Sequence, residues 1–329
     1  MKKIQWGIIG CGDVTEVKSG PAFNKVNNSQ LVAVMRRNAA KAADYARRHA
    51  VPKWYDDAQL LIDDPDVNAV YIATPPQSHE AYTIQALKAG KPVYVEKPMA
   101  TDSAAAARML AVANETGVKL SVAHYRKAQP RFKQLKALLE ANEIGSVRMV
   151  NLLLVQPPQS SLIAKTDEFW RVDPAVSGGG LFHDLSPHQL DLMQFFFGDI
   201  EKASGFAMNQ AGLYPADDLV TGNILFKSGV WFNGAWCFTG AEKEEKDMVE
   251  IIGSAGSIRF STFSTHHIIL SKKGEERLIS FDELAHVQQP MIEAVVRYFL
   301  DQAPNPSSAE SAVATMKIID AFTKKNNLV

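Results

Sequence analysis

Three segments of the chain concentrate side chains able to move protons, polarise oxygen or hold phosphate. The richest is Ser177-Gly178-Gly179-Gly180-Leu181-Phe182-His183-Asp184-Leu185-Ser186-Pro187-His188-Gln189-Leu190-Asp191, with two histidines and two carboxylates in one stretch. Ser186 fits an N-cap and Pro187 the first helical position, which predicts His188 in the first turn of a helix. There the helix dipole disfavours an imidazolium, so a neutral ring ready to accept a proton is expected. Asp184, one turn earlier, could fix its tautomer or join a relay. Three successive glycines let the backbone approach a ligand closely. His183, Asp184 and His188 are also metal-ligating types, but no second cluster completes a set at familiar spacing, and no metal is expected.

The second segment is Glu96-Lys97-Pro98, at the end of a strand-like run. A lysine fixed there by the following proline can polarise a hydroxyl or carbonyl oxygen. Thr74-Pro75-Pro76-Gln77-Ser78-His79 follows the preceding strand, and Thr74, Pro75, His79, Glu96 and Lys97 are candidate cofactor contacts. The third segment, Gly10-Cys11-Gly12, directly follows the first strand and opens a helix. Gly10 permits a sharp turn, Gly12 leaves room for a pyrophosphate, and the N–H groups from Asp13 and Val14 onward face the anion. Thr15 stands at the third position of this fingerprint, normally Gly or Ala, so wider helix–strand packing is expected there. At the end of the second strand an acidic residue would hold two free ribose hydroxyls. The chain has Arg36-Arg37-Asn38 instead. Two guanidinium groups suit a 2′-phosphate, so NADP(H) is the expected cofactor, with NAD(H) as the alternative.

These segments need a scaffold that brings strand ends together. From Ile4 to Ala123, short apolar strands (Ile4–Ile9, Leu31–Met35, Val67–Ala73, Pro92–Val95, Val118–Val122) alternate with helices over Asp13–Val26, Ala39–His49 and Ser78–Ala89 and one capped by Thr101 or Asp102. That rhythm predicts βαβ units and a doubly wound parallel sheet. After an amphipathic helix over Pro130–Ala141 the pattern changes to strands with short connections: Val147–Val155, Ala203–Met208, Leu219–Phe226, Val230–Phe238, Met248–Ile252 and Ser257–Phe260. Helices return at Pro187–Phe197, Gln289–Leu300 and Ser308–Lys324. The expected division is therefore an α/β domain at 1–122 and an α+β domain at 123–329 built on a large, mostly antiparallel open sheet. In Val230–Phe238 neither alternating face is polar, which points to a partner subunit and a homo-oligomer, a dimer or tetramer.

The 329 residues, 46% apolar and 22% charged, are those of a globular chain long enough for two cores. A net charge of −1 leaves no basic excess for nucleic acid. Cys11 and Cys237, far apart, make no disulfide framework, and no apolar run reaches the roughly 18 residues of a membrane span. With no signal-peptide pattern before Asp13, the expected location is cytoplasmic.

In combination, Gly7-Ile8-Ile9-Gly10-Cys11-Gly12, Glu96-Lys97-Pro98, Phe169-Trp170-Arg171 and Gly178-Gly179-Gly180 followed by Asp184 and His188 resemble the glucose–fructose oxidoreductase, inositol dehydrogenase and MocA family. The resemblance spans nearly the whole chain. It implies a Rossmann domain, an open-sheet domain often used in oligomerisation, and hydride transfer between nicotinamide C4 and a carbinol or carbonyl carbon of a sugar, polyol or related small molecule. By position, Lys97 matches the catalytic lysine, His188 the general acid/base and Asp184 its partner. Ser186 departs from the family's usual glycine, and His124-Tyr125-Arg126 from its usual Asn and Arg. Tyr125, Trp170 and Arg171 are candidates for a substrate wall. Two other readings stay open: a non-catalytic dinucleotide-binding regulator, and a redox-neutral glycosidase or lyase that retains its cofactor.

Overall fold

The computed structural model describes residues 2–162 and 170–324; Phe169 lies outside them. In chain order the elements are β1 Ile4–Ile9, α1 Asp13–Val17, β2 Ser29–Met35, α2 Ala39–Arg48, β3 Lys53–Tyr55, α3 Ala58–Asp63, β4 Ala69–Ile72, α4 His79–Lys88, β5 Val93–Val95, α5 Ser103–Thr116, β6 Leu120–Val122, α6 Pro130–Glu140, β7 Val147–Val155, α7 Pro174–Ser177, α8 Leu181–Phe197, β8 Ile200–Met208, β9 Leu219–Phe226, β10 Trp231–Cys237, β11 Lys246–Gly253, β12 Gly256–Phe260, β13 His267–Lys272, β14 Glu275–Ser280, α9 Gln289–Phe299 and α10 Ala309–Thr323. They form two compact units. Met1–Ala128 with Leu284–Met316 makes one, and Gln129–Glu283 with Lys317–Val329 makes the other. The division expected from the sequence, at 122/123, thus differs at both ends: Ala123–Ala128 and the returning segment 284–316 belong with the first unit.

The first unit holds a six-stranded parallel sheet in the order β3-β2-β1-β4-β5-β6. Its central strands are largely apolar, β4 and β5 being buried along their whole length, because helices cover both faces of a parallel sheet. Trp6 is fully buried against Phe23 at 4.8 Å and Phe299 of α9 at 5.6 Å, and its indole N–H donates to Ser29 Oγ at 3.0 Å. The strand order reverses between β1 and β4, where a doubly wound sheet opens its ligand crevice. The first helix is shorter than expected. It stops at Val17, and Gly20-Pro21 begin a 3-10 turn ending at Asn24. A side chain at Gly20 would strike the Thr15 carbonyl and the Tyr45 hydroxyl, so this turn needs glycine there.

The second unit is an eight-stranded sheet ordered β14-β13-β12-β11-β7-β10-β9-β8, antiparallel except for the β7–β10 pair. One face carries the core. Gly205, Gly222 and Gly234 stand side by side on β8, β9 and β10, and the missing side chains of the first two make a trough for the Phe322 ring. The alternate residues face the other way and include Phe206, Met208, Trp231 and Met248, each 43–54% exposed.

Candidate active site

The glycine turn after β1 is shaped by two different constraints. Gly10 sits at φ +95°, and a Cβ there would lie 2.7 Å from the Thr74 backbone nitrogen. At Gly12 an added Cβ would meet nothing nearer than the Gly10 carbonyl at 3.9 Å, so the space above that backbone is open to a pyrophosphate. Asp13 is exposed and Val14 half-buried at the start of α1. Thr15 is buried at the third fingerprint position: its hydroxyl folds back to the Gly12 carbonyl at 2.7 Å, and its own carbonyl accepts from Tyr45 at 2.8 Å. Gly10→Ala combines a left-handed φ with a backbone clash, a loss of about 1–3 kcal/mol. A lower melting temperature and a weaker NADPH fluorescence titration are the expected results.

Arg36 and Arg37 follow β2, half-buried and exposed respectively. Arg36 Nη1 points back to the Cys11 carbonyl at 3.4 Å, which sets the guanidinium beside the glycine turn. Asn38 caps α2 by accepting from the Lys41 N–H at 3.0 Å, so the chain leaves the arginines straight into a ten-residue helix.

Thr74 and Pro75 are half-buried in the turn after β4, and Lys97 is half-buried after β5. Glu96 is only 5% exposed, and its carboxylate is engaged within the protein. It accepts from the Tyr71 hydroxyl, from Gln288 Nε2 at 2.6 Å and from the Lys97 backbone N–H at 3.2 Å. His79 is buried as well, its two ring nitrogens set against the carbonyls of Thr74 and Pro98. Desolvation first of all pushes its pKa below the usual imidazole value. Both residues therefore support the loops that line the crevice, where the sequence had suggested ligand contact. Tyr71 and Gln288 escaped the sequence reading altogether, since nothing local to either marks a partner so distant in the chain.

In the second unit the helix that carries His188 begins earlier than Ser186. Gly178 (φ +91°) ends α7 and Gly180 (φ +85°) is the N-cap of α8, while Ser177 Oγ accepts from the Gly180 N–H at 2.8 Å. Pro187 lies inside this helix and Ser186 is fully buried. His188 is thus two turns in, and the dipole argument for its neutral ring falls; the first turn belongs to Asp184. The glycines, free to take positive φ, start the helix before the proline can. Asp184 and His188 remain one turn apart on one face. Arg171 Nε donates to Asp184 Oδ2 at 3.2 Å, and the Arg171 guanidinium lies 4.3 Å over the Trp170 ring. His188 is 5% exposed, edge-on to Phe263 at 5.9 Å. Tyr125, by contrast, belongs to the core of the first unit.

His183, beneath Gly179, is nearly fully buried, and desolvation lowers its pKa to about 4. The unfolded chain then binds the extra proton first, so stability should fall as pH drops from about 6.5 to about 4, by on the order of 3 kcal/mol. Urea midpoints across that window should show a steeper slope for the wild-type chain than for His183→Asn.

Residues 4–124 match the family model described as "Oxidoreductase family, NAD-binding Rossmann fold", and residues 132–259 the GFO/IDH/MocA C-terminal domain. Over 320 residues the chain is 46% identical to Oxidoreductase P35 of Formosa agariphila, covering 97% of this chain and 98% of that one. The chain belongs to the Gfo/Idh/MocA oxidoreductase family. A second member, 1,5-anhydro-D-fructose reductase of Ensifer adhaerens, is 27% identical over 77% of this chain and 74% of its own. Levoglucosan dehydrogenase, solved with NADH and levoglucosan, shares the fold at a TM-score of 0.85 and 20% identity, with 97% and 96% of the two chains covered. The Gfo/Idh/MocA chain described here has the parallel six-stranded sheet and large open sheet expected from its sequence. Among its described residues no group of three or more His, Cys, Asp and Glu is disposed to hold a metal ion, and no helix is long and apolar enough to cross a membrane.

Proposed function

We propose that this protein is an oxidoreductase, NADP(H)-preferring, that acts on a carbinol or carbonyl carbon of a sugar or polyol. The observation that carries the chemistry is the pairing of Asp184 and His188 one turn apart on α8, directly after a glycine turn. When bound, the dinucleotide supplies a hydride acceptor or donor at nicotinamide C4. Gly10, Gly12, Asp13 and Val14 would hold its pyrophosphate, Arg36 and Arg37 its 2′-phosphate, and Thr74, Pro75 and Lys97 would line the rest of its course. In the oxidative direction the hydroxyl proton passes to the His188 ring, and the ring returns it in reduction. Asp184 orients that ring, and Arg171 fixes Asp184. Lys97 stabilises negative charge developing on the substrate oxygen. Trp170 offers an aromatic wall to a sugar ring. The sugar names of the two relatives favour this substrate class over unrelated alcohols. A panel of polyols, aldoses, ketoses and dihydrodiols followed by NADPH absorbance tests it: turnover of at least one supports the reading, and none across the panel in either direction overturns it.

The open sheet face is proposed to be covered by a second copy of this chain. Across it Asn223, Asn233 and Asn151 lie opposite one another in register, with the exposed Trp231 and Phe206 on either side of that polar row. A polar stripe between apolar ones is self-complementary under a two-fold axis. Light scattering after gel filtration should give at least twice the chain mass; a single-chain mass would refute the dimer or tetramer, and an unchanged oligomeric mass for Phe206→Asp with Trp231→Asp would refute this face as the interface.

A further inference from the structure

The two turns that follow β4 and β5 are joined by one buried ring. His79 opens α4 and is 1% exposed. Its Nε2 lies 2.7 Å from the Thr74 carbonyl oxygen and its Nδ1 2.9 Å from that of Pro98. A carbonyl only accepts and a neutral ring carries one N–H, so one of the two contacts is the hydrogen bond and the other is close packing. Thr74 presses in turn on the glycine turn, since its backbone nitrogen occupies the space where a Gly10 side chain would begin. Contacts therefore run without a break from Gly10 through Thr74 and His79 to Pro98, the residue next to Lys97. On the other side of Lys97, Glu96 is fixed by Tyr71 and Gln288.

We infer that His79 is a positioning residue that couples the seating of the dinucleotide at the glycine turn to the placement of Lys97. The inference rests on Lys97 serving as the charge-stabilising group. His79 itself is too deeply buried to touch the nucleotide. A ring that only filled space would be replaced by Phe, which is close in volume, with no consequence for Lys97. A strap that needs its N–H donor would not.

Amide resonances of the 15N-labelled full chain, titrated with NADP+ and in parallel with NAD+, separate these cases. In the wild-type chain the Gly10 and Lys97 amides should shift along one binding curve. In His79→Phe the Gly10 curve should keep its dissociation constant within about threefold, while the Lys97 response falls to less than about half. His79→Gln, which keeps a donor on a more flexible stem, should fall between, and it carries the comparison alone if His79→Phe does not fold. An unchanged Lys97 response in both variants overturns the coupling. With a substrate in hand, kcat of His79→Phe should drop about ten- to hundredfold while the nucleotide KM holds. Lys97→Met keeps the two readings apart. Wild-type turnover in Lys97→Met defeats the role given to Lys97, whereas an inactive Lys97→Met beside a fully active His79→Phe defeats the positioning role alone.

Discussion

His188→Ala is expected to lower kcat by about a hundred- to ten-thousandfold while leaving NADPH affinity within about threefold of the wild type. The size of the loss follows from what the ring does. Oxidising a carbinol removes a hydride from carbon and a proton from oxygen, and without a base the proton must leave to water from a group too weakly acidic to release it near pH 7. The selectivity of the loss follows from where the ring is. His188 belongs to α8 in the second compact unit, whereas the glycine turn, Arg36 and Lys97 all belong to the first. Asp184→Asn should give a smaller loss, because it removes an orienting charge and leaves the base in place, and Arg171→Met a smaller loss still. That descending order is the signature of a relay, read from initial rates at saturating nucleotide. Turnover retained by His188→Ala would remove the histidine from proton transfer. A matching collapse in NADPH binding would mean that the ring holds structure and takes no part in chemistry.

What the sequence made legible divides along physical lines. Strands of a parallel sheet are buried on both faces, so β1, β2, β4 and β5 read as plain apolar runs. Helix α5 announced itself through Asp102, whose side chain accepts from the Ala105 N–H at 2.8 Å, and through Gly117 at φ +65°. The strands that went unread lack such marks, whereas the short helices α3 and α7, capped by Asp57 and Asp173, were passed over for their length. Lys53-Trp54-Tyr55 is a three-residue edge strand with a charged first residue, held beside β2 by tertiary context. The β13–β14 hairpin closes at Lys273-Gly274 and is polar on much of both faces, as an edge exposed to water can be. Pro187 was misread because proline favours the first helical turn, and only the positive φ of Gly178 and Gly180 reveals an earlier start. In the site, residue types were legible and their partners were not. Lys97, Asp184 and His188 stand out by chemistry and spacing, but the pairing of Arg171 with Asp184 and of Gln288 with Glu96 is made only by folding. Segment 284–316 illustrates the limit: nothing in its composition says that it returns to the first unit.

Arg36→Asp is expected to weaken NADPH binding by about thirtyfold to a thousandfold and to leave NADH binding nearly unchanged or improved. The guanidinium is half-buried at the carboxyl end of β2, its Nη1 near the Cys11 carbonyl, so it is already oriented beside the glycine turn before any ligand arrives. A charge-assisted pair of this kind contributes about 1.5–3 kcal/mol. An aspartate in its place adds repulsion against a phosphate that carries close to two negative charges. NADH offers two ribose hydroxyls at that position, and a carboxylate can accept from both. Arg37 is exposed, and Arg37→Ala should cost less than tenfold, with the effect screened away as salt rises because water surrounds that side chain. Arg36 should keep most of its contribution at about 0.5 M salt, since part of its stem is shielded from solvent. Dissociation constants for both nucleotides, measured by fluorescence for the wild type and the two variants at low and high salt, decide the matter. If Arg36→Asp weakens NADPH and NADH equally, the arginine does not read the 2′-phosphate, and the preference for NADP(H) falls with it.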